Sequence, residues 1–261
     1  MIVAPNLDPN LAEAVSDLER RQQPFAFATV VRTAGSTAAK PGTKAILSAE
    51  GEIISGWLGG GCTRAAVRKA AMEAVAAGTP KLISVAPEEE LQRRGFSAGT
   101  DLDGVLYARN GCPSKGTVDI FIEPSLPAPE LVIFGCSPVA EALAGIAPGF
   151  HWDVTMADLS ADLPKPTKRR CILIATQGQG DRGALTRALN STADYTGFVG
   201  STRKFAALSK KMIAEGRAPE DIARVNAPAG LDIGAITPDE IALSILAELT
   251  RVRRHAKTQD D

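Results

Sequence analysis

Leu131-Val-Ile-Phe-Gly-Cys-Ser-Pro-Val-Ala-Glu-Ala-Leu-Ala-Gly-Ile146 passes from a short apolar run, through Gly135, into a helix-forming run, and its reading decides the fold. Four apolar residues are too few for a helix, so 131–134 reads as a strand. Pro138 suits the first position of a helix because it has no N–H to leave unsatisfied there, and the helix is expected over 138–146.

The same alternation continues downstream. Strands are expected over 153–157, 171–175 and 195–199, and helices over 182–189, 201–215 and 219–225. Thr237-Pro238-Asp239-Glu240 is a capping box that opens a last helix running to about Arg254. Alternating strands and helices argue for a parallel sheet with helices on its faces, a Rossmann-like domain over 130–261.

Upstream, the Pro-rich stretch 124–129 changes the composition abruptly and reads as a linker. Before it, 1–123 reads as a small α+β domain. A helix starts at Asp8-Pro9 and ends near Gln22. Strands are expected over 25–31, 44–48, 53–58, 81–86 and 117–123, with a helix over 63–77 and an irregular segment over 87–116. The fold class is therefore α/β, with an α+β domain followed by a Rossmann-like parallel-sheet domain.

Composition narrows the function. At 261 residues, with 44% hydrophobic and 23% charged residues, the chain is neither disordered nor fibrous. A net charge of -1 supplies no global field for nucleic acid or an anionic membrane. With no apolar run of membrane-spanning length and no signal peptide at the start, the expected location is the cytoplasm. Four scattered cysteines without a CxxC pair argue against a structural zinc site and a disulfide framework, and no metal ligands are assigned. Only two histidines are present, so hydrolase mechanisms that need a histidine base start at a disadvantage.

Gly59-Gly60-Gly61-Cys62 is the sharpest local signal. Three glycines cost backbone entropy that a plain turn does not require, and the start of a helix favours both an anion and a thiolate. Around it Arg32, Lys40, Lys44, Arg64, Arg68 and Lys69 form a local basic region suited to a phosphate-bearing ligand. Cys112 is a second loop thiol. Cys136 and Cys171 stand in apolar contexts where cysteine acts as a small core residue, so Cys62 and Cys112 are the reactive candidates.

In the second half, Gly135, Cys136 and Ser137 stand where a dinucleotide-binding fold holds pyrophosphate, although the second fingerprint position is Ser137 rather than glycine. Asp158, at the end of the next strand, could accept from a ribose hydroxyl or serve as a turn residue. Gln177, Gly178, Gly180 and Asp181 follow a further strand, either as a ligand approach at the sheet's switch point or as a tight turn.

Taken together, Arg32-Thr-Ala-Gly-Ser36, Lys40-Pro41-Gly42, Gly59-Gly60-Gly61-Cys62, residues 176–181, Gly197-Phe-Val-Gly-Ser201 and Ala227-Pro-Ala-Gly-Leu-Asp-Ile-Gly234 resemble the XdhC/CoxI family. That resemblance implies an accessory protein of molybdenum hydroxylases such as xanthine dehydrogenase and carbon monoxide dehydrogenase. It would bind the molybdenum cofactor, in which a cytosine dinucleotide form is included, assist sulfuration of its metal and deliver it to an apo-hydroxylase. Ser36 joins Arg32, Lys40 and the glycines as a cofactor-binding residue through these motifs. A sulfur donor protein and a second copy of the chain in a homodimer are further implied partners. The short Gly-Gln-Gly-Asp form is similar to members linked to carbon monoxide dehydrogenase. A redox enzyme of the same pathway, with FAD or NAD on the Rossmann-like half, stays open as the alternative.

Overall fold

Asp8 caps the first helix, its carboxylate accepting from the Asn10 N–H at 2.9 Å, and Pro9 fills the first helical position of α1 (Pro9–Arg20). The structure is a computed structural model that describes residues 8–111, 115–158 and 162–255, apart from the side chains at 62 and 255. The chain divides into two units, Met1–Pro127 and Ala128–Asp261.

The first unit continues through β1 (Phe25–Ala34), β2 (Lys44–Ser48), β3 (Ile53–Gly56), α2 (Arg64–Ala77), β4 (Lys81–Ala86), α3 (Glu88–Arg93), β5 (Asp101–Leu102), β6 (Val105–Arg109) and β7 (Thr117–Ser125). Its sheet has the order β3-β2-β1-β7-β4-β6-β5, antiparallel except where β4 meets β6. The two-residue period of a strand sorts its side chains. Ala26, Ala28 and Val30 of β1 and Val118, Ile120 and Ile122 of β7 face α2, which answers with Val67, Ala70, Ala71 and Ala74. On the other face Phe25 and Ile46 bury Leu11 and Leu18 of α1.

Two expectations need correction here. The segment 87–116, read as irregular, contains α3, β5 and β6. Glu88, Glu89 and Glu90 fill the first turn of α3, where carboxylates are favoured by the helix dipole. At six residues that helix is too short to show a period, and β6 is specified by its partner β4 across the chain. The last strand of the unit also runs on to Ser125, because Phe25 and Ala26 extend the β1 ladder past Glu123.

The second unit contains β8 (Glu130–Phe134), α4 (Pro138–Ile146), β9 (Asp153–Ala157), β10 (Arg170–Ile174), α5 (Asp181–Asn190), β11 (Tyr195–Phe198), α6 (Thr202–Ala214), α7 (Pro219–Ala223), β12 (Val225–Asn226) and α8 (Pro238–His255). Its sheet is parallel throughout, in the order β12-β11-β10-β8-β9. Leu131, Ile133 and Leu173 pack against Leu143 of α4 and Ile245, Leu246 and Leu249 of α8. The alternate residues Val132, Phe134, Ile172 and Ile174 pack against Leu185 of α5, Met212 of α6 and Ile222 of α7. With helices on both faces, the central strands are apolar without interruption. Strand order reverses between β8 and β10, which makes their carboxyl ends the switch point of the sheet.

A buried carboxylate ties the last helix to the loop after β12. Glu248, 7% exposed, accepts from the Tyr195 hydroxyl at 2.6 Å and from the Gly230 N–H at 2.7 Å, with Arg251 at 3.3 Å. Burial and the neighbouring Glu248 push the Tyr195 hydroxyl above its usual range, so it stays a donor. Replacing Glu248 by alanine leaves the buried Tyr195 hydroxyl and the partly buried Gly230 N–H without this partner and is expected to cost about 3 kcal/mol, and glutamine about half of that. Urea unfolding followed by the fluorescence of Trp152, in a Trp57→Phe background, measures it; an unchanged midpoint in Glu248→Ala would show that the network is not stabilising.

Candidate functional site

In the first unit three stretches far apart in sequence meet. After β1 the chain turns at Gly35, and Ser36 forms a bridge with Lys115. A Cβ at Gly116 would collide with the Ser36 carbonyl oxygen, so only glycine allows this approach. Asn110, 9% exposed, donates its side-chain amide to the Gly116 carbonyl at 2.6 Å and pins the start of the Cys112 loop to its end. Three residues beyond Ser36, buried Ala39 lies against Gly59, where a Cβ would come within 3.2 Å of the Ala39 Cβ. The segment 36–39 therefore touches both the triple-glycine turn and the base of the Cys112 loop. Cys112 itself lies outside the described residues.

The three glycines are not equivalent. Gly59 has φ +108°, a conformation that disfavours any side chain. Gly60 is extended, and Gly61 opens a 3₁₀ turn, Gly61–Thr63, that leads into α2. Neither has a left-handed φ, and among the described residues a Cβ built on either meets nothing within 4 Å. No contact among the described residues asks for glycine at these two positions, each of which costs about 0.5–1 kcal/mol in chain entropy. What glycine leaves there is open space along the backbone. Cys62 has its backbone in this turn, since α2 begins at Arg64, one residue later than the helix expected over 63–77, and its side chain lies outside the described residues. Thr63 closes the turn, its hydroxyl donating to the Gly60 carbonyl at 3.1 Å.

The basic residues read from sequence are spread over this unit and mostly engaged. Arg32 pairs with Asp119 at 2.6 Å, and Asp119 also accepts from Ser84 at 2.8 Å. Lys44 donates to Thr29 at 2.9 Å, Arg68 pairs with Glu52 at 3.0 Å, and Lys69 lies 3.8 Å from Glu73. Lys40 is exposed at the start of a Pro41-Gly42 turn closed by the Thr43 N–H, and Arg64 is exposed at the start of α2, whose first turn holds no acidic residue.

In the second unit the expected residues gather at the switch point. Gly135 has φ +107°, and a Cβ there would lie 2.5 Å from the Ala175 carbonyl oxygen, so the close approach of β8 to β10 demands glycine. Ser137, 8% exposed, caps α4 by accepting from the Ala140 N–H at 3.2 Å, and Pro138 follows at the first helical position. Across the switch point the Asp181 carboxylate accepts from the Thr176 hydroxyl, from the Gly178 N–H at 3.2 Å and from Lys204 at 2.6 Å. Burial alone would raise the Asp181 carboxyl, but Lys204, Thr176 and the Gly178 amide outweigh it and hold the group below the usual carboxylate range. Gly180 takes the N-cap position of α5, Gln177 lies in the turn before it, and Asp158 is exposed beyond the end of β9.

Cys136 corrects an expectation: read as a small core residue, it is exposed in the turn between β8 and α4. Cys171 is buried, and burial, with Asp194 nearby, pushes its thiol up to about 12. Among the described residues no group of three or more His, Cys, Asp or Glu side chains is placed to hold a metal, and no helix is long and apolar enough to cross a membrane. Ala39, Asn110, Gly116 and Lys204 were not singled out from sequence. Each matters through a contact with a distant residue, and a single sequence carries no signal for that.

A two-unit α/β chain with a Rossmann-type parallel sheet and a glycine-lined cysteine turn defines the class. Residues 18–86 match the XdhC and CoxI family and residues 131–249 match the XdhC Rossmann domain, in that order, and the chain belongs to the XdhC/CoxI family. It is 30% identical over 271 residues to the uncharacterized protein YqeB of Escherichia coli (strain K12), covering 95% of this chain and 47% of that protein. It is 30% identical over 132 residues to the molybdenum cofactor insertion chaperone PaoD of the same organism, covering 49% and 42% of the two chains. Over 162 residues it is 26% identical to a probable xanthine dehydrogenase subunit of Bacillus subtilis (strain 168), covering 53% and 47%. The chain thus spans just under half the length of each of these relatives.

The unequal glycines give a direct test. Gly59→Ala is expected to lose about 1–2 kcal/mol from its left-handed backbone, whereas Gly61→Ala should be neutral or gain up to about 1 kcal/mol. Thermal unfolding of the two variants decides, and equal losses would mean that the turn is packed at both positions. Iodoacetamide at neutral pH should label Cys136 in the native protein and leave Cys171 unlabelled until unfolding; similar rates at the two would contradict the burial of Cys171.

Proposed function

We propose that this protein is a maturation factor for a molybdenum hydroxylase: it binds the molybdenum cofactor as cargo and delivers it to the apo-enzyme. One observation carries the reading. Glycine stands at 60 and 61 where the chain's own packing does not ask for it, in a turn that 36–39 joins to the base of the Cys112 loop. A bare backbone turn beside an exposed arginine at a helix start suits a flat, anionic ligand that must approach closely and leave again. Membership of the XdhC/CoxI family and the name of the PaoD relative support the identity of the cargo.

In this reading Cys62 and Cys112 meet the metal or sulfur end of the cargo, and Arg32, Ser36 and Lys40 line the approach with Gly59, Gly60 and Gly61. Holding and release need no general base, which suits a chain with two histidines. The client is of the carbon monoxide dehydrogenase type, sulfuration of the metal draws on a separate sulfur donor protein, and the handover takes place in the cytoplasm. The parallel sheet of the second unit is what would favour a FAD- or NAD-dependent redox enzyme instead, and the hydrogen-bond donors at its switch point speak against that.

Deleting the gene is expected to leave the client hydroxylase folded, inactive and short of molybdenum. Cys62→Ser and Gly61→Ala should reproduce much of that defect while the protein itself stays folded, since serine is close in size to cysteine and a Cβ at Gly61 meets no described atom within 4 Å. Metal content and activity of the client purified from the four strains measure it. A fully loaded, active client in the deletion strain would refute the maturation role, and normal activity in Cys62→Ser alone would refute only the part given to the thiol.

A further inference from the structure

We infer that the second unit does not hold the pyrophosphate of a dinucleotide at its β8–α4 turn, although its sheet is of the kind that does. Parallel sheets of this order take nucleotide phosphates at the switch point, on backbone N–H groups at the start of the first helix. Whether that is possible here depends on which donors remain.

At the start of α4 three of them are used or missing. Pro138, the first helical residue, has no N–H. The Ala140 N–H points to the Ser137 hydroxyl at 3.2 Å, and the Glu141 N–H to the Ser137 carbonyl at 3.0 Å. Ser137 occupies the position where a second glycine lets the backbone reach the phosphates, and at 8% exposure its side chain fills the turn. Glu141 adds an exposed carboxylate in the same first turn, which repels an anion at the end of the helix that otherwise attracts one.

Across the switch point the other glycine turn is closed in the same way. The Gly178 N–H donates to Asp181, the Gln179 N–H donates to the Thr176 carbonyl at 2.9 Å, and the Lys204 ammonium is held by Asp181 at 2.6 Å. Gly135, the residue that most suggests a fingerprint, is accounted for by the Ala175 carbonyl oxygen 2.5 Å from where its Cβ would be. A diphosphate bound here would compete with the Ser137 cap and with the Asp181–Lys204 pair.

The consequence is specific. FAD and NAD lose the anchor that a redox role on this unit would need, and a cytosine dinucleotide form of the cargo does not place its pyrophosphate here either. The inference rests on the second unit alone and stands whether or not the carrier reading does.

Amide NMR of the full-length 15N-labelled protein tests it, with NAD+, NADH, FAD and cytidine diphosphate each titrated to about 1 mM, the weak end of specific binding. The amides of Cys136, Ser137, Val139, Ala140 and Gly178 are expected to stay in place, and shifts confined to other residues support the inference equally. Saturable shifts at those amides with any of the four probes would overturn it. Failure of the carrier reading is seen in the client's metal content, so the two outcomes cannot be confused.

Discussion

The loops of both units depend on close backbone approaches that only glycine permits. In the first unit Gly116 lies against the Ser36 carbonyl, and in the second Gly135 lies against the Ala175 carbonyl. A single methyl group at either place would push these backbone segments apart. From the first contact follows the meeting of 36–39 with the triple-glycine turn and with the Cys112 loop. From the second follows the close pairing of the two glycine turns at the switch point.

The two sets of loops then differ in how their polar groups are used. Gly60 and Gly61 border space that no described residue fills, and Arg64 opens a helix with no acidic residue in its first turn. At the switch point a serine cap, a proline and an Asp181–Lys204 pair take up or remove several of the groups that a ligand would want. Buried polar groups must be satisfied, and a turn that satisfies them internally keeps its shape without a ligand. The division of labour proposed for the units follows from this contrast: cargo on the first, a rigid scaffold on the second.

Much of this architecture is legible in the sequence. Parallel strands buried on both faces give unbroken apolar runs, and caps such as Ser137-Pro138 and Thr237-Pro238-Asp239-Glu240 mark helix starts through local hydrogen bonds, so β8, α4 and α8 can be read within a residue or two. The segment 87–116 is not legible. Its helix is shorter than two turns, and its strand β6 exists because β4 offers a parallel partner from the far side of that helix. Cys136 is misread for a related reason: it follows an apolar run closely enough to resemble core, yet the strand ends two residues before it.

For the candidate site, the sequence by itself determined that a glycine-rich turn carrying a cysteine opens a helix, and that a βα turn with a serine in place of a glycine follows the first strand of a parallel sheet. These are properties of neighbouring residues, set by backbone entropy, capping and period. Only the tertiary structure decided which glycines the fold itself requires, because a missing Cβ has meaning only against the atom it would strike. It also decided that Arg32, Lys44 and Asp181 are committed to Asp119, Thr29 and Lys204, since charges distant in sequence become partners only when strands and helices bring them within about 3 Å, the reach of a hydrogen bond.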